Sequence, residues 1–327
     1  MRLSAAIVLL GAMAVASVSG QSAPARRLIV EVRNGTPDGA TVVGDQVTMQ
    51  LYRGSSPLQV LDAVVGEDGK AVFDNLPADP GLTAVARARH QNMAFGGRPV
   101  RLSPAGQTTA QVTVYDVSTD ASGLSIGTHH IIIACQPAGL EVTEYLQLEN
   151  ASRMAVIGSR RDAQSRPIVV EMDLPEGFTS LRALDYFEQQ ALVTTATGFY
   201  DTMAMPPGEH QATIAYQVGI ERSPVRIARR IALPTSELLV FWKGGQGTLE
   251  GLGEPAGELV NAEGVPMKYY KRENLAAGDD IRFQITGINV RSSDTRMWII
   301  LGAVFAVVAA IAILRLRSGS PQGPSSS

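Results

Sequence analysis

The pentapeptide Gly123-Leu124-Ser125-Ile126-Gly127 reads as Gly-x-Ser-x-Gly, with Asp120 just before it and His129 and His130 just after. A serine hydrolase uses those three residue types as a hydroxyl nucleophile, an imidazole base and an orienting carboxylate. The context argues against that use. A nucleophile elbow holds its serine on a strained turn between a strand and a helix. Here a polar segment precedes Ser125, and the β-prone run Ile131-Ile132-Ile133 follows it. Triad partners in that fold also lie far apart in sequence, so the nearness of Asp120 and His129 adds no support. No catalytic residue is assigned.

Other residues invite the same scrutiny. Gly245-Gln246-Gly247-Thr248-Leu249-Glu250-Gly251 mimics a dinucleotide loop. Such a loop works when a helix N-terminus receives the phosphates. The next residues, Leu252-Gly253-Glu254-Pro255-Ala256-Gly257, cannot continue a helix, so a glycine-rich β turn is expected and no cofactor-binding residue is assigned. His129 and His130 are neighbours on a strand and point to opposite faces, so they cannot chelate one ion together. His90 and His210 stand alone, and no metal ligand is assigned. Asp279-Asp280 reads as a pair of solvated turn carboxylates. Tyr269, Tyr270 and Trp242 would make a sugar-stacking platform if exposed, and core or cross-strand packing accounts for the same residues. Cys135 closes the run His130-Ile131-Ile132-Ile133-Ala134-Cys135 and reads as an inert core thiol; a single cysteine makes no internal disulfide. Two short sequons occur, Asn34-Gly35-Thr36 and Asn150-Ala151-Ser152.

The elements around these residues are bracketed by two apolar runs. Residues 5–16 follow Arg2 and precede the small residues Val18-Ser19-Gly20, the layout of a secretory signal over residues 1–20 with cleavage before Gln21. Residues 297–314 carry no charge and would form a helix about 27 Å long, close to the thickness of a bilayer's hydrocarbon core. Trp298 suits the outer interface, and Arg315 and Arg317 follow at the inner one. Together the runs predict a single-pass type I membrane protein with a periplasmic or extracellular ectodomain. The tail 315–327, rich in Ser, Gly and Pro, is expected to be disordered and cytoplasmic.

Composition fits an exported bacterial protein. The net charge is -3 and the pI about 5.9, so nothing points to a nucleic-acid partner. Between the apolar runs the pattern is all-β. Short alternating runs recur between Gly, Pro, Asn and Asp, as in sandwiches and barrels.

A first domain is expected over residues 27–116. Residues 28–33, 47–52, 83–89 and 111–115 alternate as strands, with Val47, Met49 and Leu51 on one face. Asp68-Gly69 is a hairpin signal, with Val72 on the face opposite Ala71 and Phe73. A polar linker follows over 117–123. A larger immunoglobulin-like sandwich region is expected over 124–290, with strand candidates at 129–134, 140–148, 167–172, 211–218, 225–233, 238–242, 267–272 and 281–287. In 140–148, Glu141, Thr143 and Tyr145 alternate with Val142 and Glu144, so both faces look polar near its start.

An opening strand, a strand ending in Leu51-Tyr52 and the stretch Glu67-Asp68-Gly69-Lys70-Ala71-Val72-Phe73-Asp74-Asn75-Leu76-Pro77 resemble the carboxypeptidase regulatory-like, or transthyretin-like, β-sandwich. Asp68, Gly69, Ala71, Phe73, Leu76 and Pro77 carry the resemblance. It implies a non-catalytic folding, spacer or binding module. The region 124–290 is similar to the larger β domain that follows such modules in bacterial envelope proteins. The expected function is that of a membrane-anchored envelope protein, not an enzyme, that binds or positions another envelope protein. A carbohydrate- or peptide-binding module and an envelope hydrolase are the alternatives.

Overall fold

The computed structural model describes residues 26–288, apart from residues 105, 137–138, 221–222, 244–246, 261–263 and 265. The segments 1–20, 297–314 and 315–327 lie outside the described residues. Among the described residues no helix is long and apolar enough to cross a membrane. The chain is all-β and divides into two compact units. Among the described residues the first takes 26–33, Val42–Ala88 and Gly96–Thr113; the second takes Asn34–Thr41, Arg89–Phe95 and 114–288.

Eight strands come first: β1 (Arg26–Asn34), β2 (Gln46–Arg53), β3 (Ser56–Val64), β4 (Lys70–Leu76), β5 (Leu82–His90), β6 (Met93–Gly96), β7 (Val100–Arg101) and β8 (Gln107–Val114). They form a three-stranded sheet in the order β4-β1-β8 and a five-stranded sheet in the order β3-β2-β5-β6, with β7 on β5. Period-two alternation decides which side chains go inside. Leu28, Val30 and Val32 of β1, Val47, Met49 and Leu51 of β2, and Leu82, Ala84, Ala86 and Ala88 of β5 are all buried. Phe73 is 4 % exposed and Ala71 is buried, whereas Val72 on the other face is 42 % exposed.

Asp68-Gly69 makes a tight turn, with Gly69 at φ 74° and its N–H donating to the Gly66 carbonyl. The strands beside it do not pair as a hairpin. β3 pairs with β2, and β4 pairs with β1, so the turn links two different sheets. β3 departs from the usual alternation by carrying apolar residues on both faces. Leu61 and Ala63 register with the buried Met49 and Val47. Leu58, Val60 and Val64 then face outward, at 43, 56 and 60 % exposure. This strand ends its sheet, and Pro57 and a register shift opposite Leu51/Tyr52 break the regularity of its backbone, two devices that discourage edge pairing.

The second unit begins with β9 (Val117–Ser118), β10 (Leu124–Gln136), β11 (Gly139–Asn150) and β12 (Ala155–Val156). β9 pairs with β12, so part of the segment 117–123 expected as a linker is built into a sheet. β13 (Arg160–Arg161), β14 (Pro167–Ile168), β15 (Val170–Asp173), β16 (Phe178–Ala183), β17 (Leu192–Thr194), β18 (Gly198–Asp201) and β19 (Gly208–Val218) follow. The last are β20 (Val225–Arg230), β21 (Thr235–Lys243), β22 (Thr248–Glu250), β23 (Gly257–Val260), β24 (Pro266–Leu275) and β25 (Asp280–Thr286). A seven-stranded sheet runs β16-β19-β11-β10-β21-β24-β23, with β10 and β21 parallel. Two three-stranded sheets, β15-β18-β17 and β20-β25-β22, share one apolar core with it.

Phe73 is the largest side chain that β4 buries. Phe73→Ala should destabilise the protein by about 3–5 kcal/mol, read by chemical denaturation. A loss below about 1 kcal/mol would show that the ring does not serve the core.

Candidate functional site

Strand β11 places Leu140, Val142, Glu144, Leu146 and Leu148 on its core face. Glu144 breaks that apolar row, and it is 0 % exposed. A carboxylate cannot sit there unpaired, because burying an isolated charge costs many kcal/mol. Three neighbours meet it. On β10 a register shift between Ile126 and His129 turns His129 inward, at 2 % exposure. Its Nε2 donates to Glu144 Oε2 at 2.7 Å. Tyr216, inward on β19, donates its hydroxyl to Oε1 at 2.5 Å. Arg229 follows Val225 and Ile227 on the inner face of β20 and donates from Nη1 to the same Oε1.

The electrostatics follow from burial and proximity. Desolvation alone would raise the Glu144 pKa, but the charge of Arg229 and the His129 hydrogen bond overcome it and hold the group at about 2. Burial lowers the His129 pKa, with Glu144 pulling the other way, so its imidazole is neutral with the Nε2 proton facing the carboxylate. Burial raises the Tyr216 pKa, and Glu144 adds to the rise. Burial works against the Arg229 charge, yet Glu144 raises its pKa overall. Glu144 and Arg229 carry the two opposite charges. Each polar contact on Glu144 comes from a different strand, so the cluster ties four strands together. An open cleft of about 390 Å³ lies elsewhere in this unit, lined by Gly251, Leu252, Arg272, Asp280, Ile281 and Arg282, and none of the cluster lines it.

The residues singled out from the sequence are dispersed. Ser125 lies within β10, on the face opposite the buried Leu124 and Ile126, and its hydroxyl meets Glu149 at 3.4 Å. Asp120 closes a local turn by accepting from the Ser122 N–H. His130 packs edge-on against Phe241, at 5.4 Å between ring centres. His90 bonds Asp116 at 3.0 Å, and His210 bonds the Pro206 carbonyl at 2.9 Å. Among the described residues no three His, Cys, Asp or Glu side chains are arranged to hold a metal ion. Cys135 is half-buried, and burial raises its thiol pKa. Past Gly247 the chain enters β22, which pairs with β25. Asp279 accepts from the Ala276 N–H, and Asp280 pairs with Arg282. Trp242 and Tyr270 join the core, whereas Tyr269 registers with Phe241 on the opposite face. The Tyr269 ring also covers Gly257, where an added Cβ would come within 2.7 Å of it. The three aromatic residues therefore form no single platform.

Asp116 organises a second polar cluster. It accepts from Asn34 Nδ2, the Ala40 N–H and His90 Nε2, and its own N–H donates to Thr36 Oγ1. Burial works against its charge, but these hydrogen bonds lower its pKa overall. The sequon asparagines are likewise committed. Asn34 Nδ2 also donates to the Ala40 carbonyl, and Asn150, 1 % exposed, donates to the Met154 and Met205 carbonyls.

Sequence reading passed over Glu144, Arg229 and Tyr216. The signal was present: Glu144 shares parity with Val142, and Arg229 shares parity with Val225 and Ile227. Charges in otherwise apolar rows on two strands of opposite sign mark a buried pair.

Glu144→Gln should destabilise the protein by about 3–5 kcal/mol, since it strands the Arg229 charge in the core. The double variant Glu144→Leu, Arg229→Met should cost less than either single change, as read in a denaturation cycle. The pH dependence has a definite sign. Both Glu144 and His129 have pKa values depressed in the folded state, so their stabilisation is complete above their ordinary ranges. For Glu144 it is lost as pH falls from about 4.5 towards 2.

No protein-family model and no curated protein sequence matches the chain. Similar solved structures include the full-length major pilin SpaD from Corynebacterium diphtheriae, at 11 % identity over 80 % of this chain and 81 % of that one, with a TM-score of 0.21. A DUF3823 family protein from Parabacteroides merdae is 12 % identical over 64 % of this chain and 91 % of that one, at a TM-score of 0.19. A variant of BcpA, the major pilin subunit of Bacillus cereus, is 9 % identical over 80 % of this chain and 88 % of that one, also at 0.19.

Proposed function

We propose that the chain is a non-catalytic, membrane-anchored envelope protein whose tandem β-sandwich ectodomain binds or positions another envelope protein. One observation carries this reading. The residues best suited to acid–base chemistry, Glu144, His129, Arg229 and Tyr216, are spent on one another inside the core. Ser125, the serine of the Gly-x-Ser-x-Gly match, lies in a strand on the face opposite the buried row. The surface offers contact chemistry instead. Of the eight large apolar residues most exposed among the described residues, Leu58, Val60 and Val64 lie together on β3. The apolar runs at 5–16 and 297–314 supply export and anchoring. The resemblance of residues 27–116 to regulatory-like modules supports a spacer or binding role for the first sandwich.

The test has two arms in intact cells. Protease added from the extracytoplasmic side should digest residues 21–296, and a photo-crosslinking side chain at Val60 should capture one defined envelope protein. Protection of that region would remove the anchored topology. Labelling of Ser125 by a serine-reactive probe, with loss of the cellular role in a well-folded Ser125→Ala variant, would replace the binding reading with a hydrolase.

A further inference from the structure

Asp201 closes β18 at 0 % exposure, between Val170 of β15 and Leu192 of β17 in the strand register. Among the described residues no cation accompanies it. Its Oδ1 accepts from the Met203 N–H at a long 3.4 Å, and its Oδ2 has no hydrogen-bond partner. A second buried oxygen nearby, the Tyr186 hydroxyl, is also without a partner, and it feels the Asp201 charge. Tyr186 belongs to residues 184–191, a strap that runs from β16 to β17. Several contacts fasten the strap, among them the Leu184 N–H donating to the Thr213 carbonyl. Phe187 packs edge-on against Phe199 at 5.5 Å, and Tyr186 stacks on His210 at 4.9 Å. Thr213 donates to Asp185, and Thr202 donates to the Ala191 carbonyl.

We propose that Asp201 is a proton-operated latch: as the neutral acid it lets the strap at residues 184–191 stay closed, and its ionisation loosens the strap. A carboxylate met only by the backbone N–H groups of Met203 and Thr202, with no counter-charge among the described residues, is far better solvated by water than by this core. Loosening the strap admits that water.

The charged surroundings favour the neutral form. Burial pushes Asp201 up to about 7 against the donation from Met203 and Thr202, and the negative charge of Glu188 on the strap adds a smaller push the same way. On β15, Glu171 is paired with Arg160, and Asp173 adds a further acid. On β18 itself Tyr200 bonds Asp162. β17 carries no ionisable side chain, and His210 of β19 contacts Tyr186. Because the closed form holds its proton to a higher pH than the open form, opening becomes easier as pH rises and levels off once the closed form has ionised.

Hydrogen–deuterium exchange of the full-length chain reads this directly on peptides spanning 184–191, corrected for intrinsic amide rates. Strap opening should grow about tenfold per pH unit between about 4 and about 7, then level off. In Asp201→Asn the same peptides should show no such slope. A slope that survives in Asp201→Asn, or a flat wild-type profile, would overturn the latch. Glu188→Gln provides an independent arm that does not alter the buried residue. It should move the upper end of the slope to lower pH, and an unmoved upper end would also contradict the proposal.

Discussion

An ionised carboxylate at the centre of a β core dominates the second unit. Glu144 is tolerable there only while Arg229 faces it and His129 and Tyr216 donate to it. Those partners come from β10, β19 and β20, which lie in two different sheets. The requirement therefore fixes more than a local contact. A one-residue slip of β11 or β20 would turn Glu144 or Arg229 outward and strand the opposite charge in the apolar core. Apolar packing alone tolerates sliding between similar Val, Leu and Ile rows; a single buried ion pair does not. The cluster thus links the register of the seven-stranded sheet to that of β20-β25-β22.

Asp201 shows the opposite solution to the same physical problem. Both carboxyl groups are fully buried in one unit. Glu144 has a guanidinium beside it and stays charged into acid, whereas Asp201 has none and keeps its proton towards neutrality. Neutral groups supply hydrogen bonds to each, and at Glu144 the charge of Arg229 is the largest effect set against desolvation. The environment, not the residue type, separates a permanent structural charge from a titrating one.

Much of this was legible in the sequence where alternation and burial agree. The strands at 47–52, 83–89 and 211–218 fall within β2, β5 and β19, and Phe73 is inside because Ala71 and Phe73 share the buried parity. The dismissal of the Gly-x-Ser-x-Gly match rested on the β-prone run after Ser125, and that run is the middle of β10. Other features were hidden for specific reasons. β3 carries apolar residues on both faces, Leu61 and Ala63 inside and Val60 and Val64 outside, so its pattern does not mark an inner row. Asp68-Gly69 specifies a turn but not whether the flanking strands pair with each other. Asn34–Thr41 and Arg89–Phe95 join the second unit through the hydrogen bonds of Asp116, a long-range partnership that spacing does not encode. The two apparently polar faces of 140–148 are one inward charge, Glu144, and a half-buried row on the opposite face in which Thr143 is itself buried.

Whether the Glu144 cluster is sealed from solvent decides if it is a structural hub. Exchange of the imidazole C2 proton with deuterium, measured by mass spectrometry on the native full-length chain as a function of pH, reports the access and protonation of each histidine separately. His129 should exchange far more slowly than His210 and far more slowly than in the denatured chain, and it should titrate below the ordinary histidine range. Exchange of His129 at the rate of the denatured chain, with an ordinary titration, would mean that solvent reaches Glu144. The cluster would then be an accessible acid–base site rather than a structural hub.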